Sequence, residues 1–178
     1  MKDITSCKNC ELYKNQKPSV SKIKQSDIMI IGISAQKNKD NKKFSPLDKD
    51  TNSGKFIDEI ERSLSKETFY RTNLLKCAPL DNKEKIRYPK KEEYEKCFNN
   101  LEYEIKKIRP KIIITLGNKV SDFISKKFKI SKEKYKKIKY NDMTIIHIDH
   151  PSYIMIYKRK NMDDYKNIIL KLLDSSNQ

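Results

Sequence analysis

TFYRTNLLKCAP, residues 68–79, is the stretch on which the fold turns. Its first eight residues, 68–75, read as a strand rich in aromatic, β-branched and aliphatic side chains, and that strand runs straight into Lys76 and Cys77. Upstream, DIMIIGI at 27–33 is a continuous apolar run closing at Gly32, as in a parallel strand buried on both faces. Between the two, residues 52–65 predict a helix with Asn52 and Ser53 as candidate N-caps and an apolar stripe of Phe56, Ile57, Ile60 and Leu64. Downstream, a charged loop leads into a helix over about 90–108, where Tyr94, Phe98, Leu101, Ile105 and Ile108 recur at alternating spacings and Pro110 follows the end. A third strand, KIIITL, ends at Gly117 and precedes a helix burying Val120, Phe123, Ile124 and Phe128. A Lys-rich segment at 129–141 reads as a solvated loop. The fourth strand, MTIIHI at 143–148, leads through DHPSYIMIYKRK to a closing helix with Met162, Tyr165, Ile169 and Leu172 inward.

Strands alternating with helices predict an α/β three-layer sandwich, a central and mainly parallel four-stranded sheet flanked by helices. Function in such sheets sits at the C-terminal strand ends. The polar segments there are Ser34 to Gln36, Asn73 to Cys77, and His150 to Ser152, which should converge on one edge.

Residues 1–178 are expected to form one domain with an N-terminal CxxC segment. Lys and Arg number 40 against 24 Asp and Glu, a formal charge of +16. That balance favours a polyanionic partner through counterion release, nucleic acid first, although lysine spread over solvated faces gives the same count. No run approaches the ~20 apolar residues of a membrane span, and MKDITSCKNC has no apolar signal core. A cytoplasmic monomer with no membrane contact is the expectation.

Thiols stay reduced in the cytosol, so four cysteines grouped around a CxxC point to metal or redox chemistry rather than disulfides. Cys7 and Cys10 can ligate one centre from a single turn. Cys77 directly follows a strand and Cys97 sits in the next helix, so both can face one side of the sheet. Four thiolates suit a structural zinc or an iron-sulfur cluster equally well. The competing reading is four unrelated thiols, two of them buried as small hydrophobes.

The order of CxxC, a strand ending at Gly32, TNLLKCAP at 72–79, a further cysteine, KIIITLG at 111–117 and HPS at 150–152 resembles the family-four uracil-DNA glycosylases over nearly the whole chain. Each motif alone is weak; their joint order is specific. The resemblance implies a uracil-DNA glycosylase fold and a 4Fe-4S cluster on Cys7, Cys10, Cys77 and Cys97. It further implies an enzyme that flips uracil or a related modified pyrimidine and hydrolyses its N-glycosidic bond, leaving an abasic site. DNA containing a damaged or modified base is then the partner.

The resemblance also assigns roles. Asn73 stands at the uracil-reading position, beside Gly32 and Ile33 in the substrate site. His150 stands at the HPS histidine, which stabilises charge on the departing base. Two motifs depart. Gly32-Ile33-Ser34-Ala35-Gln36 replaces GEAPG and is nearer in shape to the GINPG of mismatch-type glycosylases, with Ser34 at the water-positioning place and Gln36 also able to orient a water. Ile33 thus replaces the acidic residue, leaving Asp40 and Asp48 as the nearby carboxylates. KKFSPLDKDTNSG, 42–54, replaces PFVGxAG, with Phe44 as the base-stacking aromatic or Pro46-Leu47 in its place.

Base flipping needs a wedge and phosphate clamps. Ser152 is a candidate phosphate ligand, Tyr153, Ile154 or Met155 the wedge, and Lys158, Arg159 and Lys160 the backbone contacts. Ser53 and Gly54, at a helix N-terminus, offer a second phosphate seat. His147, within an alternating strand, reads as a satisfied structural histidine. The competing function, motivated by Ile33 and the altered second motif, is a catalytically weakened or inactive iron-sulfur module that recognises lesion or single-stranded DNA.

Overall fold

Five apolar or alternating runs become strands: β1 (Ile28–Ser34), β2 (Phe69–Leu75), β3 (Ile112–Leu116), β4 (Lys137–Tyr140) and β5 (Met143–Ile148). The computed structural model, which describes residues 3–39 and 43–174, joins them in one sheet ordered β2-β1-β3-β5-β4. β1 pairs in parallel with β2 and β3, β3 pairs in parallel with β5, and β4 runs antiparallel to β5.

The fifth strand lies in the Lys-rich segment read from the sequence as a loop. Ile138 and Tyr140 pair with Ile145 and Met143 across a tight turn in which Asn141 has φ 50°. The Tyr140 ring stacks on Phe128 with centroids 4.4 Å apart. Lys137 and Lys139 sit on this edge strand, where charge discourages pairing with another chain. The lysines that suggested a loop are the guard of a sheet edge.

Helices α1 (Asn52–Ser63), α2 (Lys91–Ile108), α3 (Asn118–Phe128), α4 (Pro151–Tyr157) and α5 (Met162–Leu173) cover the two faces. Alternation along each strand divides the core. Met29, Ile31, Ile113 and Ile145 pack with Leu101, Ile105, Val120 and Ile124 of α2 and α3. Ile28, Ile30, Ile114, Leu116, Ile146 and Ile148 pack with Phe56, Ile60, Ile154 and Ile169 of α1, α4 and α5. The N-cap of α1 is Thr51, whose Oγ1 accepts from the Gly54 N–H at 3.0 Å, rather than Asn52 or Ser53. Leu173 is buried at the end of α5 where Leu172 was expected. Among the described residues, no helix is long and apolar enough to cross a membrane.

His147 is fully buried on β5. Its Nε2 lies 3.2 Å from the Ser131 carbonyl, which can only accept, so the proton resides there and Nδ1 accepts from Thr115 Oγ1 at 2.6 Å. Burial lowers its pKa from 6.5, and burial lowers that of His150 as well. The unfolded chain therefore binds more protons below pH 6.5, and stability falls as pH drops through that range by up to ~1.4 kcal/mol per pH unit for each group. Denaturation midpoints of the protein and of His147→Gln should diverge: the variant is the less stable at pH 7.5, and the gap narrows toward pH 5.5.

Candidate active site and cysteine site

β1 lies between β2 and β3, and around such a reversal of strand order the loops leaving the C-terminal ends part and open a crevice. A cleft of about 400 Å³ lies there, lined by Ile33 and Ser34 at the end of β1, Gln36 after it, Asn73 of β2, Leu47 and Ser53, and His150 and Ser152 after β5. The three polar segments expected to converge do so.

Gly32 and Asn73 are register partners on β1 and β2. A Cβ on Gly32 would stand 2.4 Å from Asn73 Oδ1 and 3.0 Å from Leu47 Cδ2, so only glycine lets the Asn73 amide lie across β1. Asn73 is 3% exposed, and among the described residues its side-chain amide has no hydrogen-bond partner. The amide faces the cleft, where a ligand presenting one donor and one acceptor can pair with it.

His150 ends β5's extension and caps α4 by accepting the Ser152 N–H on Nδ1 at 3.2 Å. With Nδ1 occupied as an acceptor and the pKa held down by burial, the imidazole is neutral and carries its proton on Nε2. Gly117, with φ 85°, supports it from β3: a Cβ there would stand 3.2 Å from His150 Cβ. Ser152 Oγ in turn lies 2.8 Å from Ser53 Oγ, tying the start of α4 to the start of α1.

The remaining predicted residues divide. Phe44 is half-buried and does not line the cleft; Leu47, the other occupant considered, stands over Gly32 instead. Leu47 has φ 51°, and Arg71 Nη1 donates to its carbonyl at 2.9 Å while Asp58 and Glu61 of α1 hold the guanidinium. Asp48 lines the cleft, but its carboxylate already accepts from Ser45 N, Ser45 Oγ and Asp50 N. Asp40 lies outside the described residues. Gly54 is buried with its N–H given to Thr51, so Ser53 alone of the expected pair reaches the cleft. The helical turn of α4 buries Ile154, half-buries Met155 and exposes Tyr153. Lys158 and Tyr153 line a second, adjoining cleft, whereas Arg159 lies on a different surface.

The four cysteines line one small cavity together with Leu75, Lys76 and Asn100. Cys7 and Cys10 are carried by an N-terminal segment fastened to the end of β2, where Ser19 N donates to Lys76 O at 2.6 Å and Asn15 Nδ2 to Ala78 O at 2.8 Å. Burial, and then proximity to the other three thiols, pushes the Cys77 thiol up to about 12. Lys76 N–H reaches Cys97 Sγ at 3.4 Å and Asn100 Nδ2 reaches Cys7 Sγ at 3.3 Å. Among the described residues no group of three or more His, Cys, Asp or Glu is arranged to hold a metal ion.

Sequence reasoning missed the link between the two sites. Lys76 and Glu104 form an ion pair at 2.5 Å with side chains 1% and 0% exposed. Lys76 Nζ also donates to Thr72 Oγ1 at 2.6 Å and to the Asn73 carbonyl at 2.7 Å, while Tyr70 OH donates to Glu104 Oε1 at 3.0 Å. Each ammonium proton thus has an acceptor, which a buried charge requires. The signal was present: Glu104 falls three residues after Leu101 and four before Ile108, on the apolar face of α2.

A family model described as the uracil DNA glycosylase superfamily matches residues 18–174. The chain belongs to the uracil-DNA glycosylase superfamily. This superfamily member is 28% identical to the type-4 uracil-DNA glycosylase of Archaeoglobus fulgidus over 97% of its own length and 89% of the relative's. It is 31% identical to the type-4 enzyme of Saccharolobus solfataricus over 77% of its length and 62% of that protein's. The 97% span leaves too few residues over to exclude Cys7 and Cys10 from the likeness. A crystal structure of wild-type SMUG2 from Pedobacter heparinus shares the fold, with a TM-score of 0.51 at 17% identity over 86% of this chain and 76% of that one.

Proposed function

We propose that this superfamily member is a DNA glycosylase that draws uracil, or a closely related pyrimidine, out of DNA into the cleft beside Asn73 and His150 and hydrolyses its N-glycosidic bond. The observation that carries the reading is the pinned tautomer of His150, a neutral Nε2–H donor lining the same cleft as the Asn73 amide. The amide of Asn73 gives and takes one hydrogen bond each, which matches the N3–H and O4 of uracil and mismatches the N3 and N4 of cytosine. As the C1′–N1 bond breaks, its electron pair passes to the base, and His150 Nε2–H donates to the pyrimidine O2 where that charge collects. Water then adds to C1′, oriented by Ser34 or Gln36, and its proton leaves to solvent. Leu47 closes the pocket where an aromatic would stack.

Cys7, Cys10, Cys77 and Cys97 would hold a 4Fe-4S cluster, which supplies a covalent cross-link and no step of the hydrolysis. Four cysteines lining one cavity, with N–H donors from Lys76 and Asn100 reaching two of the sulfurs, supply the thiolates and the N–H···S hydrogen bonds that such a cluster takes. A brown preparation with visible absorbance and bound iron supports that assignment.

Ile33 favours a slow enzyme, because among the described residues the one acidic side chain lining the cleft, Asp48, is occupied by its own turn. Ile33→Glu should raise the single-turnover excision rate about tenfold to a hundredfold by adding a base. An unchanged rate in a folded Ile33→Glu protein removes water activation as the limiting feature. The proposed function itself is tested with oligonucleotides carrying uracil, hypoxanthine, a thymine mismatch or hydroxymethyluracil, followed by alkali. Strand breakage at uracil supports it; binding without breakage on every substrate favours the module that recognises lesions without excising them.

A further inference from the structure

A second cleft, about 590 Å³, adjoins the first and shares Ile33 and His150 with it. Its other walls are chemically unlike the base cleft. Tyr88, 77% exposed, and Tyr153, 43% exposed, both line it, and Lys119 and Lys158 stand at its rim. Lys158 Nζ lies 5.6 Å from the Tyr153 ring centroid, and Tyr153 leads to Tyr157, whose ring lies 5.2 Å away on the outer surface of α4. Exposed aromatic rings interleaved with lysines around a cleft are what an unpaired nucleotide strand requires, stacking for its bases and positive charge for its phosphates. A rigid duplex does not fit this arrangement, since a base beside the flipped one remains paired and stacked.

We infer that this second cleft receives the nucleotide next to the excised one, its base taken between Tyr88 and Tyr153, and that the preferred substrate is consequently single-stranded DNA. The inference rests on the proposed function for the base cleft and deepens it. His150 then stands between two splayed neighbours, and Tyr157 offers a third stacking surface farther along the strand. Phosphate contacts from Lys119 and Lys158 make binding salt-dependent without adding sequence preference.

The test is fluorescence anisotropy with the intact protein and a single-stranded oligonucleotide carrying 2′-fluoro-deoxyuridine, which resists cleavage. The same oligonucleotide is compared with a base-less tetrahydrofuran residue beside the uracil, and with its duplex. Removing the neighbouring base should weaken binding by the protein about tenfold or more, and the Tyr88→Ala, Tyr153→Ala double variant should show a single-strand affinity already reduced and no further loss. The duplex should bind about tenfold more weakly than the single strand. Equal losses in the protein and the double variant, or equal affinity for duplex and single strand, overturn the inference. Asn73→Ala separates it from the reading beneath it: that variant loses discrimination between uracil and cytosine yet keeps the effect of the neighbouring base. Absence of any such discrimination in the unaltered protein counts against the base cleft alone.

Discussion

His150→Ala lowers the rate of uracil release by about 10²- to 10³-fold, the usual consequence of removing one donor aimed at developing negative charge. The substitution also deletes the cap of α4, since His150 Nδ1 accepts the Ser152 N–H, and a lost cap costs about 1 kcal/mol. His150→Asn separates the two effects. Asparagine is a good N-cap and restores the acceptor, but its shorter amide does not place a donor where the imidazole Nε2 stands. The expected result is a melting temperature close to that of the unaltered protein with the same loss in rate. Single-turnover excision, which excludes product release, is the measurement. A His150→Asn protein of full activity would mean that charge on the base is stabilised elsewhere.

Cys77→Ala produces the second large effect, and on stability first. Cys77 is 7% exposed, lies two residues beyond the end of β2, and shares its cavity with Cys97 and the two N-terminal cysteines. With the proposed cluster on these cysteines, removing Cys77 would break a cross-link among the N-terminal segment, the end of β2 and α2, because binding energy at such a site is folding energy. A loss of about 4 kcal/mol or more is expected by chemical denaturation, together with loss of bound iron and visible absorbance. Activity falls with it, since Cys77 lies four residues beyond Asn73 and the intervening Lys76 holds the Asn73 carbonyl at 2.7 Å. A stable, fully active Cys77→Ala protein would contradict this coupling of the cysteine site to the base cleft.

The parallel strands were legible because their apolar runs have few alternatives, and the cleft followed from where those strands end. β4 was not, because alternating lysines signal a loop when counted and a guarded edge only once Tyr140 is seen stacking on Phe128. The helix after His150 was hidden by Pro151, which reads as a breaker yet is favoured in the first turn. That Asn73 and His150 line one cleft and the four cysteines one cavity was readable through motif order. The choice between Phe44 and Leu47 stayed open, since it depends on a positive φ at Leu47 held by Arg71 from another strand. Lys76 and Glu104 were obscured by the rule that charges lie outside, which holds only until two of them satisfy each other.

The most direct measurement is the release of free base. A single-stranded oligonucleotide with one uracil is incubated with excess protein, and free uracil is quantified by mass spectrometry alongside alkali-labile sites in the strand. Equal amounts of uracil and abasic site, both greatly reduced in His150→Asn, are the predicted result. DNA bound by the protein with no free uracil released would contradict the assignment of this cleft to base excision.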